Sequence, residues 1–117
     1  MVMANEYWVR TCNELVTGHY GIAHRGAYVA WFYVYYNLYG EDKSAYSGKY
    51  TSGFNRSIDI PMDATNIAVL VREDTGFGYR TIFRYPPSGG NPRPEVKCWK
   101  IAGWTLGPTY SEITCDF

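Results

Sequence analysis

The feature that most constrains this chain is an uninterrupted run at residues 27–36, where every position is apolar or aromatic. The run is far short of the roughly 20 residues a helix needs to cross a bilayer. Its β-branched and aromatic side chains suit a pleated surface. Because both faces are apolar, the run predicts a central strand covered on both sides, spanning residues 26–37. A covered strand needs partners, and the rest of the chain supplies them. Helical periodicity is weak throughout; its best stretch, residues 13–16, is too short to stand alone.

Strand signals recur at short intervals. Residues 6–11 read as a first strand, and residues 54–60 alternate around Arg56 and Ile58 until Pro61 ends them. Residues 66–72 place Ile67, Val69 and Val71 on one face. Residues 79–85 set Tyr79, Thr81, Phe83 and Tyr85 against Arg80, Ile82 and Arg84. Residues 96–102 and 110–117 complete the set. Turns or loops are expected at 40–44, at 73–78 with Gly76 and Gly78, at 86–94 and at 103–108. This pattern predicts an all-β protein, an antiparallel β-sandwich of about seven to eight strands, forming a single domain over residues 1–117.

Charge narrows the function classes. The formal net charge is zero with no charged block, so nucleic acid and anionic lipid gain no support as electrostatic partners. The chain instead holds 12 Tyr, 5 Phe and 4 Trp, residues that give recognition faces large area at low entropic cost. Cys12, Cys98 and Cys115 are an odd count, which predicts no closed disulfide framework, and no Cys-x-x-Cys spacing suggests a metal. The start at Met1 shows no basic head followed by an apolar run, so synthesis in the cytosol or release without an evident signal peptide, with reduced thiols, is the expectation.

Catalysis finds no constellation. Glu73 and Asp74 are neighbours, so on a strand they point to opposite faces and cannot flank a glycosidic bond. They are expected to solvate a turn. His19 and His24 lack a third metal ligand. Arg72, Arg80 and Arg84 are expected to pair with Glu73, Asp74 or Glu95 rather than to line a basic groove. A non-enzymatic binding module without metal or cofactor is the reading.

Several separated motifs, in order, resemble the C-terminal domain of the cholesterol-dependent (thiol-activated) cytolysins. They are His24-Arg25-Gly26-Ala27-Tyr28-Val29-Ala30, Ser57-Ile58-Asp59-Ile60-Pro61, and Asn66-Ile67-Ala68-Val69 with Arg72-Glu73. Then come Thr75-Gly76, Arg80-Thr81-Ile82 and the stretch from Ile101 through Gly103-Trp104-Thr105-Leu106-Gly107-Pro108. The resemblance covers about residues 19–108. It implies a stand-alone β-sandwich whose recognition loops cluster at one end and meet target-cell membranes. Thr105 and Leu106 match the family's sterol-recognition pair, with Trp104 beside them and Phe77 helping as the membrane contact. In that reading Leu106 inserts, Thr105 bonds the sterol hydroxyl and Trp104 sits at the headgroup boundary. The family's pore is made by other domains, which these residues do not include, so pore formation by this polypeptide alone is not expected.

The chain also departs from the family. Asp74 stands at the family's loop-cysteine position, the loop shortens to residues 75–79, and the run of tryptophans is missing. A charge at a membrane-dipping tip is unfavourable. The alternative reading is therefore a lectin that binds a cell-surface glycan through Asp74, Phe77, Tyr79, Arg80, Asn55 and Trp104. A cytosolic defence toxin or protein-partner adaptor, possible as a homodimer, is a further alternative.

Overall fold

The computed structural model describes residues 17–117, and within them alternation builds eight strands. These are β1 (Thr17–His24), β2 (Ala30–Leu38), β3 (Glu41–Tyr46) and β4 (Asn55–Pro61), then β5 (Thr65–Asp74), β6 (Tyr79–Tyr85), β7 (Val96–Trp104) and β8 (Gly107–Ile113). They form two four-stranded sheets, β4-β1-β7-β8 and β3-β2-β5-β6. The expected sandwich is the fold, with one pair, β1 and β7, running parallel. The strand expected at residues 6–11, the stretch at 13–16 and Cys12 lie outside the described residues.

The two inner faces meet in one apolar core. Strand β2 contributes Ala30, Phe32 and Val34, and β5 contributes Ile67, Val69 and Val71. Opposite them lie Tyr20 and Ile22 of β1, Ile60 of β4, and Trp99 and Ile101 of β7. Burying each large side chain contributes roughly 1.5–3 kcal/mol. The run that anchored the sequence reading is core on one face only. On its other face Trp31, Tyr33 and Tyr35 stand on the outside of the sheet. There Tyr33 stacks on Tyr46 at 5.0 Å between ring centroids, and the Lys49 ammonium covers Trp31 at 4.9 Å. The second covering layer is thus made of side chains, not another sheet.

Four sequence readings are corrected. Strand β1 was unmarked because it carries Gly18 and Gly21. A side chain at Gly21 would run into the Phe117 ring at 2.5 Å, so this central strand needs glycine where the C-terminal segment packs on it. Residues 41–46 are strand rather than loop. They form an exposed, polar edge paired with β2, across a tight turn in which Tyr39 and Gly40 both have positive φ, 53° and 88°. Residues 103–108 are not a loop but the closed end of the β7–β8 hairpin, with Trp104 opposite Gly107. Finally, Cys98 and Cys115 form a disulfide with Cα atoms 5.1 Å apart. The odd count concealed this pair, which the β7–β8 hairpin brings together by setting Cys98 opposite Ile113.

The topology sorts the connections. Residues 25–29, 47–54, 75–78 and 105–106 all cluster at one end, because His24, Ala30, Asp74 and Trp104 are register neighbours of one another or of that end. The starts of β1 and β7, the disulfide and the end of β8 lie at the opposite end.

Candidate functional site

The loop end is cross-braced by hydrogen bonds between connections. From the β1–β2 connection, the Arg25 amide donates to the Ile101 carbonyl at 2.8 Å and the Ala27 amide to that of Gly103 at 2.9 Å. The Tyr28 hydroxyl donates to the Ala102 carbonyl at 2.7 Å. His24 fixes this connection from beneath. It is fully buried, its Nε2 donates to the Tyr28 carbonyl and its Nδ1 accepts from the Gly26 amide. These partners select the neutral tautomer, and burial holds the imidazole below its ordinary pKa. His24 is thus a structural residue.

The β5–β6 tip is built by Asp74 and its glycines. Asp74 Oδ1 accepts from the Gly76 amide at 2.7 Å, an Asx turn that the positive φ of Gly76 completes. The Asp74 amide donates to Val29, joining this tip to the neighbouring connection. The Lys49 ammonium lies 4.0 Å from Asp74 Oδ2. The charge that sequence placed at the tip is therefore held by the backbone and faced by a cation. Phe77, at the apex, is fully exposed.

Arg80 couples the two hairpins. Its Nη1 donates to the Thr105 carbonyl at 3.0 Å and lies 3.5 Å from Glu73 Oε2. Glu73 is wholly buried and neither carboxylate oxygen has a hydrogen-bond partner. Burial pushes its pKa up, and Arg80 only partly opposes that. The expectation that Glu73 solvates a turn is thus corrected: alternation after Ile67, Val69 and Val71 carries it into the core face. Of the expected arginine pairings, Arg80 with Glu73 forms. Arg84 instead caps the carbonyls of Pro86 and Gly89, and Arg72 lies 4.3 Å over the Tyr79 ring.

In the β7–β8 tip, Thr105 and Leu106 form the two-residue turn. Gly103 makes it possible: its φ is +84°, and a Cβ there would sit 2.2 Å from the Gly107 carbonyl oxygen. Thr105 is half-buried, whereas Leu106 (67% exposed) and Trp104 (58%) project into solvent. The structure therefore gathers Phe77, Trp104, Thr105 and Leu106 at one end, where Arg80 joins the two tips. Sequence reasoning missed Phe54, a 60% exposed side chain in the 47–54 connection at the same end. The signal available was an aromatic directly after Thr51-Ser52-Gly53, in an otherwise polar turn.

Of the glycan set, Asp74, Phe77, Tyr79, Arg80 and Trp104 lie on the two tips that Arg80 joins, and Asn55 lies apart from them. Asn55 opens β4 at one edge of its sheet, opposite Ala23. Tyr79 and Arg80 open β6 at the edge of the other sheet that faces β8. The width of the sandwich separates Asn55 from the other five. Tyr79 turns its exposed ring to Trp31 and Arg72 on the outer face. As for metals, one ligand atom each from His19, Cys98 and Cys115 falls within 4.8 Å of the others, but the disulfide occupies both sulfurs. His19 itself bonds Asp59 and the Phe117 main-chain oxygen.

The described residues thus form an eight-stranded sandwich with braced, apolar-tipped connections at one end. Residues 20–109 match the thiol-activated cytolysin β-sandwich domain, and the chain belongs to that family. It is similar to listeriolysin O, with 26% identity and a TM-score of 0.63 over 86% of this chain and 23% of that one. It is similar to suilysin from Streptococcus suis, with 25% identity and a TM-score of 0.61 over 86% of this chain and 24% of that one. The membrane-binding domain of pneumolysin shares its fold, with 24% identity and a TM-score of 0.63 over 86% of this chain and 99% of that one. This chain thus spans about a quarter of the full-length cytolysins it matches. No curated protein matches it.

Proposed function

We propose that the chain is a non-enzymatic module that lands loop-end first on a target-cell membrane and recognises sterol through Thr105 and Leu106. The observation that carries this reading is that Phe77, Trp104 and Leu106, all more than half exposed, stand on two adjacent tips that Arg80 joins. Clustered exposed apolar side chains mark an interaction surface. Leu106 at the apex of a two-residue turn is free to enter the acyl region, with Trp104 at the polar boundary. Thr105 offers its hydroxyl, since its carbonyl is the group that Arg80 engages. Among the described residues no helix is long and apolar enough to cross a membrane. Family membership supports the membrane reading, as does the likeness to the membrane-binding domain of pneumolysin.

The test is flotation with liposomes, with and without cholesterol, at physiological salt. Cholesterol-dependent flotation is expected, and Leu106→Asp should reduce it more than tenfold, because a charge at the apolar tip costs about 2.5 kcal/mol or more on insertion. Equal flotation on sterol-free liposomes would sink the sterol assignment. No flotation on either would sink the membrane reading and return attention to glycans, for which an array is the direct probe.

A further inference from the structure

The 47–54 connection crosses from one sheet to the other at the loop end, and it is anchored rather than loose. The main chain of Tyr50 pairs with Ala30 through reciprocal bonds of 3.0 and 2.9 Å, and its buried hydroxyl donates to the Ile22 carbonyl. Ser47 Oγ accepts from the Phe32 amide. The Gly53 amide donates to His24. Between these anchors lies an open pocket of about 250 Å³, lined by Lys49, Tyr50, Thr51, Phe54 and Arg56.

Both cations of this pocket are positioned by aromatic rings; Lys49 also faces Asp74 at the long end of ion pairing, and Arg56 faces no acid among the described residues. The Arg56 guanidinium lies 5.0 Å over the Tyr50 ring, and its Nη1 donates to the Ser47 carbonyl at 2.8 Å. No acidic side chain among the described residues is within ion-pairing distance of it. Lys49 sits over Trp31, with its carboxylate neighbour Asp74 only at 4.0 Å. A ring holds a cation in place while leaving its charge and most of its N–H donors available. The chain's zero net charge thus conceals one local positive site, built from an arginine fork and an ammonium on a rigid frame.

We propose that Lys49 and Arg56 form a binding site for a phosphate group, and that the exposed Phe54 beside it directs the site to the headgroup phosphate of a membrane lipid. The proposal rests on the loop-end membrane reading for its lipid source. Its phosphate chemistry stands independently of that reading. Guanidinium and ammonium donors together satisfy a tetrahedral oxyanion with charge-assisted hydrogen bonds. Phe54, 60% exposed, gives the adjoining apolar contact that free phosphate would not use.

The test has two arms on the full chain. Amide NMR is recorded during titration with inorganic phosphate and with glycerol phosphate, against sodium chloride at equal ionic strength. Saturable shifts confined to residues 47–56, lost in Lys49→Met/Arg56→Gln, are expected; diffuse shifts, or shifts matched by chloride, would overturn the site. In the second arm, wild type and the double variant are floated on phosphatidylcholine vesicles with and without phosphatidic acid, at fixed sterol. The double variant should bind the phosphatidic acid vesicles about tenfold more weakly, the scale of losing charge-assisted bonds. Localised shifts with equal flotation of both proteins would overturn the lipid source and leave a free-phosphate site. Localised shifts with no flotation of wild type would overturn the membrane reading and the lipid source with it, and leave the phosphate site standing.

Discussion

The two ends of the sandwich are held together by opposite means. At the base, the connection is covalent: Cys98 is tied to Cys115, and the Phe117 ring packs on Gly21 of the central strand beside it. At the loop end it is polar and distributed, through Arg80 to Thr105, Ala27 to Gly103, Tyr28 to Ala102 and Asp74 to Val29. The base thus secures the fold, while the loop end holds apolar tips in fixed positions without burying them. This division teaches that stability and recognition are separable here. It also predicts which variants affect one and spare the other.

The largest expected effect tests the base. Replacing both Cys98 and Cys115 by serine removes a cross-link with a sequence separation of 17. Chain-entropy reasoning puts the loss at about 3 kcal/mol. Urea unfolding should show the midpoint falling, while liposome binding well below the transition remains at the wild-type level. Loss of binding by the folded double variant would show that the base communicates with the tips, and the separation would fail.

Next comes the buried acid under the loop end. Glu73 has no hydrogen-bond partner and a carboxyl held above its ordinary value of 4.5 by burial. A raised folded-state pKa means that the native protein binds this proton more tightly than the unfolded chain does. Its favourable contribution is therefore fully present below about pH 4.5 and is lost as pH rises through the folded value. Glu73→Gln keeps the shape without the charge. The variant should be more stable than wild type at neutral pH, with the advantage shrinking as pH falls towards 4, as read by urea midpoints across that range. A variant less stable than wild type at neutral pH would mean that the Arg80 contact outweighs the burial cost.

Much of this arrangement was legible in the sequence, and the failures have physical causes. Alternation at Ile67, Val69 and Val71 and at Phe83 marked core strands because one-sided burial writes a period of two. The ordered motifs led to the family and to Thr105 and Leu106. Strand β3 was lost because an exposed edge strand has no buried face to write a pattern, as Glu41, Asp42, Lys43 and Ser44 show. Strand β1 was lost because its glycines serve close packing by Phe117 and Pro94, contacts that are distant in sequence. Glu73 was misread because a charged residue in an alternating run was taken as the end of that run. Cys98 and Cys115 pair through register, which a cysteine count does not contain. Lys49 and Arg56 flank a polar turn, and only the fold places both beside the aromatic rings that hold them.

The smallest expected effect on stability is at Phe77, and it sharpens the comparison most directly. Its side chain is fully exposed at the apex of the β5–β6 tip, and the turn beneath is made by Asp74, Thr75 and the two glycines. Removing the ring therefore breaks no folded-state contact, and Phe77→Ala should change stability by less than about 0.5 kcal/mol. If this end enters a membrane, the same change removes an apolar group whose burial contributes roughly 1.5–3 kcal/mol. Liposome binding should then weaken about tenfold or more while the melting curve stays put. A matched loss in both would mean that the ring supports the tip from within. No loss in either would confine membrane contact to the β7–β8 tip, leaving Trp104, Thr105 and Leu106 to carry it.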